Sequence, residues 1–364
     1  MDNRVLLVGW GRSVNYGTNL QTIALYEIIN QKYKCDFLYS RKYCSSKLFV
    51  KKAIKKLRSK IKKEGGVTPE KNRNIDKCYE NIRKINLNSP SDKKIILSKY
   101  NTFVVGSDQV WNPGYLESTY LLDFVPKGYR KISYASSIGV NTIPKKCHKI
   151  YCKYLSDFSY ISMREQQGAK CISKMIRRSV DTVLDPTLLL SSLEWKEICS
   201  KISSSLPDKY LLCYFVGNMA QHMKEIQDIS KEMNLKIVVL PIIEQETRLS
   251  ECVVINNAGP KEFVAAVNGA TMVCTDSFHM CAFSLNFQKE FWVFKRFNDN
   301  SSSSQNSRID NLFSEFGINR YFNDGDRQSL DYNRISISLK NKRTECKKLL
   351  FSAIDGKVAA IHSS

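Results

Sequence analysis

RVLLVGWGRSVNYGTNLQTIALYEIINQKY, residues 4–33, opens with an apolar run at 5–9 and breaks into a polar loop punctuated by glycine. It then resumes in a helical pattern whose apolar residues are Leu20, Ile23, Ala24, Tyr26, Ile28 and Ile29. Strand, loop and helix in this order are how nucleotide-binding α/β sheets usually begin. The loop, however, is neither G-x-G-x-x-G nor G-x-x-x-x-G-K-[ST], so it carries no dinucleotide or phosphate-loop fingerprint.

The alternation runs on along the chain. CDFLYS (35–40), TFVVGS (102–107), ISYASSIG (132–139), YISMRE (160–165) and DTVLDP (181–186) are short, nearly continuous apolar runs. Such runs fit parallel strands covered on both faces. Helical patterns lie at about 18–31, 142–156 and 166–174, and EGGVTPEKNRN (64–74) reads as a loop. Residues 190–209 look like a short helix followed by a polar linker containing Ser203, Ser205 and Pro207. A second unit repeats the logic, with strands expected at 210–217, 236–242, 270–277 and 290–296 and helices at 219–234, 260–270 and 278–288. A terminal helix is expected over 339–361. The expected fold is α/β, with two Rossmann-like lobes about a central cleft: residues 1–200, residues 208–330, and a C-terminal helical segment at 331–364. NDNSSSSQNS (298–307) reads as a polar loop able to close over that cleft.

Composition agrees and narrows the partners. At 364 residues the chain is too long for one comfortable core, and 43% hydrophobic with 25% charged residues is an ordinary globular mixture. No apolar segment approaches the ~20 residues of a spanning helix, and the first strand is too short for a signal peptide. The twelve cysteines are scattered, several beside apolar runs, which points to small buried hydrophobes in a reducing cytoplasm. The net charge of +21 favours anionic partners. Its densest stretch, KLFVKKAIKKLRSKIKK (47–63), holds nine Lys or Arg and no acid. Val50, Ile54, Leu57 and Ile61 would form one stripe of an amphipathic helix near 48–63. Such a helix either lies on an anionic membrane surface, with Lys51, Lys52, Lys55 and Lys56 on head groups, or packs its stripe on its own domain. Zinc-finger spacing, aromatic RNA-binding signatures and a helix-turn-helix are all missing, so nucleic acid is set aside.

Ligands of open parallel sheets sit beyond the carboxyl ends of strands. Five strand ends carry unusual polar residues. Arg164 offers a permanent cation with a planar fork for carboxylate or phosphate, the alternative being a buried pair with Glu165. His279 can donate to an anion or shuttle a proton, or be a satisfied core histidine. Asp108 can act as base, sugar-hydroxyl acceptor or helix cap. Ser107 and Ser277 are small donors that allow close approach, and Arg308 can enter a closed site from the loop side. Cys147, His148 and Cys152 lack a second pair at metal spacing, so no metal is expected. No G-x-S-x-G appears, which argues against an α/β-hydrolase.

Taken together, NYGTNLQTIAL (15–25), VVGSDQVWNP (104–113), SYASSIG (133–139), ISMRE (161–165), VLDPTLLL (183–190), TDSFHMCAFSL (275–285) and NSRIDNLFSEFGI (306–318) resemble the polysaccharide pyruvyl transferase family. The G-S-D-Q-x-W and D-S-F-H blocks are the more specific, and the series covers about residues 4–325. The resemblance implies a fold similar to GT-B glycosyltransferases and phosphoenolpyruvate as co-substrate, with no other cofactor. The acceptor would be a sugar of a polysaccharide precursor on which pyruvate becomes a cyclic ketal. Arg164 and His279 match donor positions, His279 also being the leading general acid, and Asp108 is the leading hydroxyl-binding group or base. Related members carry Arg two residues before that histidine, where this chain has Ser277; Arg308 is the candidate replacement. Asn15, Gly17, Asn19, Ser107 and Asp108 are assigned to the acceptor side. A lipid-linked acceptor would give the basic helix a reason, placing the enzyme at the inner membrane face. Two rivals are a nucleotide-sugar glycosyltransferase on the same scaffold and a non-catalytic glycan-binding relative.

Overall fold

The computed structural model describes residues 4–40, 66–199, 206–243, 252–296, 307–326 and 328–358. The expected basic helix at 48–63, the serines of the linker near 203–205 and the polar loop at 298–306 lie outside these residues.

The chain builds two wholly parallel sheets. The first has seven strands: β1 (Arg4–Val8), β2 (Lys34–Ser40), β3 (Lys84–Asn86), β4 (Thr102–Asp108), β5 (Arg130–Ser136), β6 (Tyr160–Met163) and β7 (Asp181–Thr182). Their order is β3-β2-β1-β4-β5-β6-β7. The second has five: β8 (Tyr210–Tyr214), β9 (Lys236–Val239), β10 (Cys252–Val254), β11 (Met272–Thr275) and β12 (Glu290–Val293), in the order β10-β9-β8-β11-β12. In each, the direction of winding reverses once, between β1 and β4 and between β8 and β11. Those two reversals are the crevices where such sheets bind ligands.

The helix Tyr16–Asn30 lies between the lobes. Asn15 caps it, its side chain accepting from the Thr18 amide, and all but two of its residues are buried. It packs on β2 and β4 on one side and on the helix Pro260–Gly269 of the second lobe on the other. A helix so placed is buried nearly all round, and its polar residues Thr18, Asn19, Gln21 and Thr22 are buried and hydrogen-bonded. Gly106 in β4 makes room for it: a side chain there would lie 2.4 Å from a Leu25 methyl and 2.8 Å from the Tyr134 carbonyl oxygen.

Three differences from the sequence expectation have local causes. Residues 69–74 of the expected loop at 64–74 instead open the helix Pro69–Lys77, because Thr68 caps the Lys71 amide and Pro69 occupies the first turn. Strand β3 and the helix Pro90–Lys99, also capped by a serine and opened by a proline, were hidden in a charge-rich segment. The terminal helix runs Tyr332–Asp355, beginning earlier than 339 because the Asp331 carboxylate caps the Arg334 amide, and ending at Gly356 in a left-handed turn. It returns from the second lobe to the first. Tyr332 bonds the Lys289 carbonyl at its start, Arg343 Nε donates to the Leu188 carbonyl at 2.7 Å, and Tyr33 Oη donates to Asp355 at 2.6 Å.

A candidate active site between the lobes

Strand β4 ends abruptly at Asp108, whose φ of 61° is left-handed. The turn is secured by the Ser137 and Val110 amides, both donating to the Asp108 carbonyl, at 2.8 and 2.9 Å. Ala135 in β5, at φ 51°, is likewise left-handed where the β5–β6 register shifts between Ser133 and Ser136. Non-glycine residues held in this region cost roughly 1–2 kcal/mol each and gather at functional sites.

Four elements meet beside these turns. Arg164, the residue after β6, donates from Nη1 to Asp185 Oδ2 at 3.0 Å and from Nη2 to Asp108 Oδ1 at 3.3 Å. Its guanidinium lies 4.6 Å from the centre of the Phe278 ring, which the second lobe contributes. The local acid Glu165, weighed from the sequence as its partner, stands at 3.8 Å and is the weakest of the three carboxylate contacts. Thr18, in the first turn of the helix between the lobes, donates its hydroxyl to Asp108 Oδ2 at 3.0 Å. His279 follows β11 in the first turn of the helix Phe278–Asn286 and brings Nε2 to 3.7 Å from Asp185 Oδ2, longer than a hydrogen bond. Gly17 floors the imidazole: a Cβ there would lie 2.1 Å from His279 Nδ1. The lobes therefore touch glycine against histidine, with no room for a side chain.

The charges are set by these neighbours. Burial opposes ionisation of Asp185, yet His279, Arg164 and the Thr187 amide prevail and hold its carboxyl well below the ordinary range. Burial likewise opposes Asp108, and Arg164, His279, Arg308 and the Thr18 hydroxyl keep it low. Arg164, penalised by burial, is held charged by Asp108, Asp185 and Glu165. Arg308 is pushed down to about 10, first by burial and then by Arg164, against the pull of Asp108 and Glu165. Arg164 and Arg308, from opposite lobes, both wall a cavity of about 270 Å³, which Phe278 and the terminal-helix residues Lys342 and Glu345 complete. Among the described residues, Arg164 Nε, Glu165 Oε2 and His279 Nε2 are buried side-chain atoms with no hydrogen-bond partner. Arg164 Nε and Glu165 Oε2 face each other at 3.8 Å, and His279 Nε2 stands 3.7 Å from Asp185, so each is held by charge without a hydrogen bond.

The expected site residues thus fall into two groups. Arg164, His279, Asp108 and Arg308 come together. Ser277 is buried at the start of the histidine's helix, its amide donating to Thr275 Oγ1 at 3.0 Å. The acceptor-side assignments fare differently. Asn19 is fully buried and holds the loop, its Oδ1 accepting from Ser13 N and Tyr79 Oη and its Nδ2 donating to the Ser13 and Asn15 carbonyls. With both ends of its amide spent internally, it is a scaffold for the loop. Ser107 is also fully buried, its hydroxyl serving the Ala135 carbonyl at 2.9 Å, and Asn15 is the helix cap described above. Asp185, Thr18 and Phe278 were missed. Asp185 sits in VLDP, where an aspartate before proline reads as a helix cap; it does cap, taking the Thr187 amide at 3.0 Å, and the same carboxylate also holds Arg164.

Two parallel Rossmann-like lobes, a helix returning between them and a charged site at the lobe junction define a two-lobed α/β protein with a GT-B-like fold. Solved structures agree on the fold. UDP-GlcNAc 2-epimerase from Neisseria meningitidis bound to UDP-GlcNAc superposes with a TM-score of 0.53 at 9% identity, covering 96% of this chain and 99% of that one. The S. aureus MnaA–UDP co-structure gives 0.50 at 10% identity over 98% and 90% of the two chains. No curated protein matches the chain in sequence. The family model for polysaccharide pyruvyl transferase matches residues 15–296, and the chain belongs to that family. Among the described residues no helix is long and apolar enough to cross a membrane.

Proposed function

We propose that the protein transfers the pyruvyl group of phosphoenolpyruvate to two hydroxyls of one sugar in a polysaccharide precursor, forming a cyclic ketal. The observation that carries this reading is a cavity walled by Arg164 and Arg308 from opposite lobes, with His279 Nε2, buried and without a hydrogen bond, 3.7 Å from Asp185 at its edge. Phosphoenolpyruvate presents a phosphate and a carboxylate, and two arginines from opposite lobes suit two anionic groups.

The chemistry follows from where the side chains stand. His279 Nε2, backed by Asp185, gives a proton to the methylene carbon, leaving positive charge on C2. A sugar hydroxyl, its proton taken up by Asp108, adds to C2. The C2–O bond to phosphate breaks, with Arg164 and Arg308 receiving the leaving dianion. The second hydroxyl adds to C2 and gives up its proton, closing the ring. One proton is taken up at carbon and one by the departing phosphate oxygen, matching the two that leave the hydroxyls, so the products are the ketal and hydrogen phosphate.

Calorimetric titration with phosphoenolpyruvate, beside uridine diphosphate, tests the donor. Saturable phosphoenolpyruvate binding, weakened about tenfold or more in Arg308→Ala, is expected. Binding of uridine diphosphate alone would instead place the protein among nucleotide-sugar enzymes, the substrate class of the 2-epimerase structure. We also propose that the acceptor is lipid-linked and that residues 48–63 hold this cytoplasmic enzyme at the anionic inner leaflet, each well-placed Lys contributing about 1 kcal/mol. Liposome flotation checks this, and equal partitioning of a Lys51/Lys52/Lys55/Lys56→Ala variant would overturn it.

A further inference from the structure

The chain has four tryptophans, and they are not alike. Trp111 and Trp195 are fully buried and Trp292 nearly so, each inside a hydrophobic core. Trp10 is half-buried. It stands two residues beyond β1, at the carboxyl edge of the first sheet, beside the reversal of winding between β1 and β4. Trp10 packs against the hydrophobic core below it and leaves part of its ring open at that edge.

Its neighbours are arranged around it. Tyr115 lies 5.5 Å from Trp10 between ring centres at a 40° tilt, and Tyr120 meets it edge-on at 6.4 Å. The Tyr115 hydroxyl donates to Gln109 Oε1 at 2.6 Å, and Asn112 Nδ2 donates to the same oxygen at 2.8 Å. The tyrosine is thereby fixed, and its ring holds the indole from one side. Tyr115 is also close to the charged centre. Burial raises its hydroxyl well above the ordinary range, and beyond burial it feels Asp108, Arg308 and Arg164. Strands β1 and β4 pair directly, Val8 beside Val105, so Trp10 and Asp108 lie at the same carboxyl edge of the sheet, just past two neighbouring strands.

We propose that Trp10, held by Tyr115, is the platform on which a pyranose ring of the acceptor stacks, with its reacting hydroxyls turned toward Asp108. The chemistry fits that occupant. One face of a pyranose presents C–H groups, which the negative face of an electron-rich indole attracts, while the ring's hydroxyl edge needs polar partners. An aromatic ring beyond β1 and the carboxylate that ends the neighbouring strand β4 supply both. A nucleobase would stack as well, but the charged neighbours here are Asp108 and the arginines of the donor cavity. The platform deepens the proposed transfer and rests on it for the identity of its ligand.

Tryptophan emission offers a direct test, because Trp10 is the least buried of the four. The protein, saturated with phosphoenolpyruvate, is titrated with galactose-terminated and mannose-terminated tetrasaccharides, with acrylamide quenching read at each point. A saturable change in emission with protection from acrylamide is expected for one of the two probes. In Trp10→Leu that response should vanish, and the affinity of the same probe by calorimetry should fall about tenfold. Saccharide binding unchanged within twofold in Trp10→Leu would overturn the platform. So would a protein that binds phosphoenolpyruvate and shows no response at Trp10 to either saccharide. Phosphoenolpyruvate binding is measured in the same samples: its absence would refute the donor assignment, and a Trp10-dependent saccharide response would still support the platform.

Discussion

Gly17→Ala is the most discriminating single substitution. The added methyl would lie 2.1 Å from His279 Nδ1, 2.3 Å from Cγ and 2.7 Å from Cβ. Reaching even a tight contact near 3.4 Å requires a relative displacement of about 1.3 Å between the helix Tyr16–Asn30 and the imidazole. Neither partner has slack. The helix is wedged between the lobes, and His279 is buried in the first turn of its own helix. Overpacking of this kind costs about 1–3 kcal/mol, a thermal midpoint lower by several degrees. The functional loss should be larger in proportion, since misplacing a reacting group by about 1 Å costs on the order of 100-fold in rate. Alanine is otherwise a better helix former than glycine, by roughly 1 kcal/mol, so propensity alone predicts the opposite sign for stability. The assay pairs thermal unfolding with phosphoenolpyruvate-dependent release of inorganic phosphate in the presence of acceptor. A variant as stable as the wild type and within threefold of its rate would refute both the glycine–histidine contact and the catalytic placement of His279.

Other expectations follow from the same geometry. Arg164→Met leaves Asp108 and Asp185 buried without their shared cation, so denaturant unfolding should show a loss of about 3–5 kcal/mol, larger than for any of the half-buried surface arginines. Arg308→Ala should leave stability nearly intact and act on phosphoenolpyruvate affinity, because burial and Arg164 both oppose its charge in the folded chain and it stands at the cavity wall. Asp108 and Asp185 both have folded-state values below those of the unfolded chain. Their stabilisation is present above about pH 4 and lost as pH falls through the folded values, so wild type should weaken in acid more steeply than Arg164→Met. Lys71 gives the same sign of pH dependence at higher pH and for a different reason, burial of a cation. It is fully buried, donates to Tyr16 Oη and to the Pro241 and Ile242 carbonyls, and burial lowers it to about 7. The unfolded chain therefore holds more protons between about pH 7 and 10.5. Over that window wild type should gain stability relative to Lys71→Met by up to about 1.4 kcal/mol per pH unit.

Local chemistry determined a good deal by itself. Alternating apolar runs and helical stretches are enough to specify two parallel lobes, because strands covered on both faces must be apolar along their whole length. The strand-end rule then singles out Arg164, His279 and Asp108 from the sequence, since a polar residue directly after an apolar run has few purely structural reasons to be there. Short capped helices such as Pro69–Lys77 escaped notice because lysines and asparagines outnumber their apolar residues, and the cap and proline alone had to speak for them.

What only the tertiary structure decided is the use to which neighbouring polar residues are put. Asn19, Gly17 and Asp108 belong to one motif-bearing surface in the sequence, yet the first ties the loop, the second floors the histidine and the third meets the arginine. Hydrogen-bond capacity is finite, and only the packed chain shows where it has been spent. Asp185 reads as a helix cap, which it is. Its second role arises because β6 brings Arg164 beside it and the second lobe delivers His279 from 94 positions later in the chain. Spacing cannot encode such a meeting, because it is made by two lobes closing on each other.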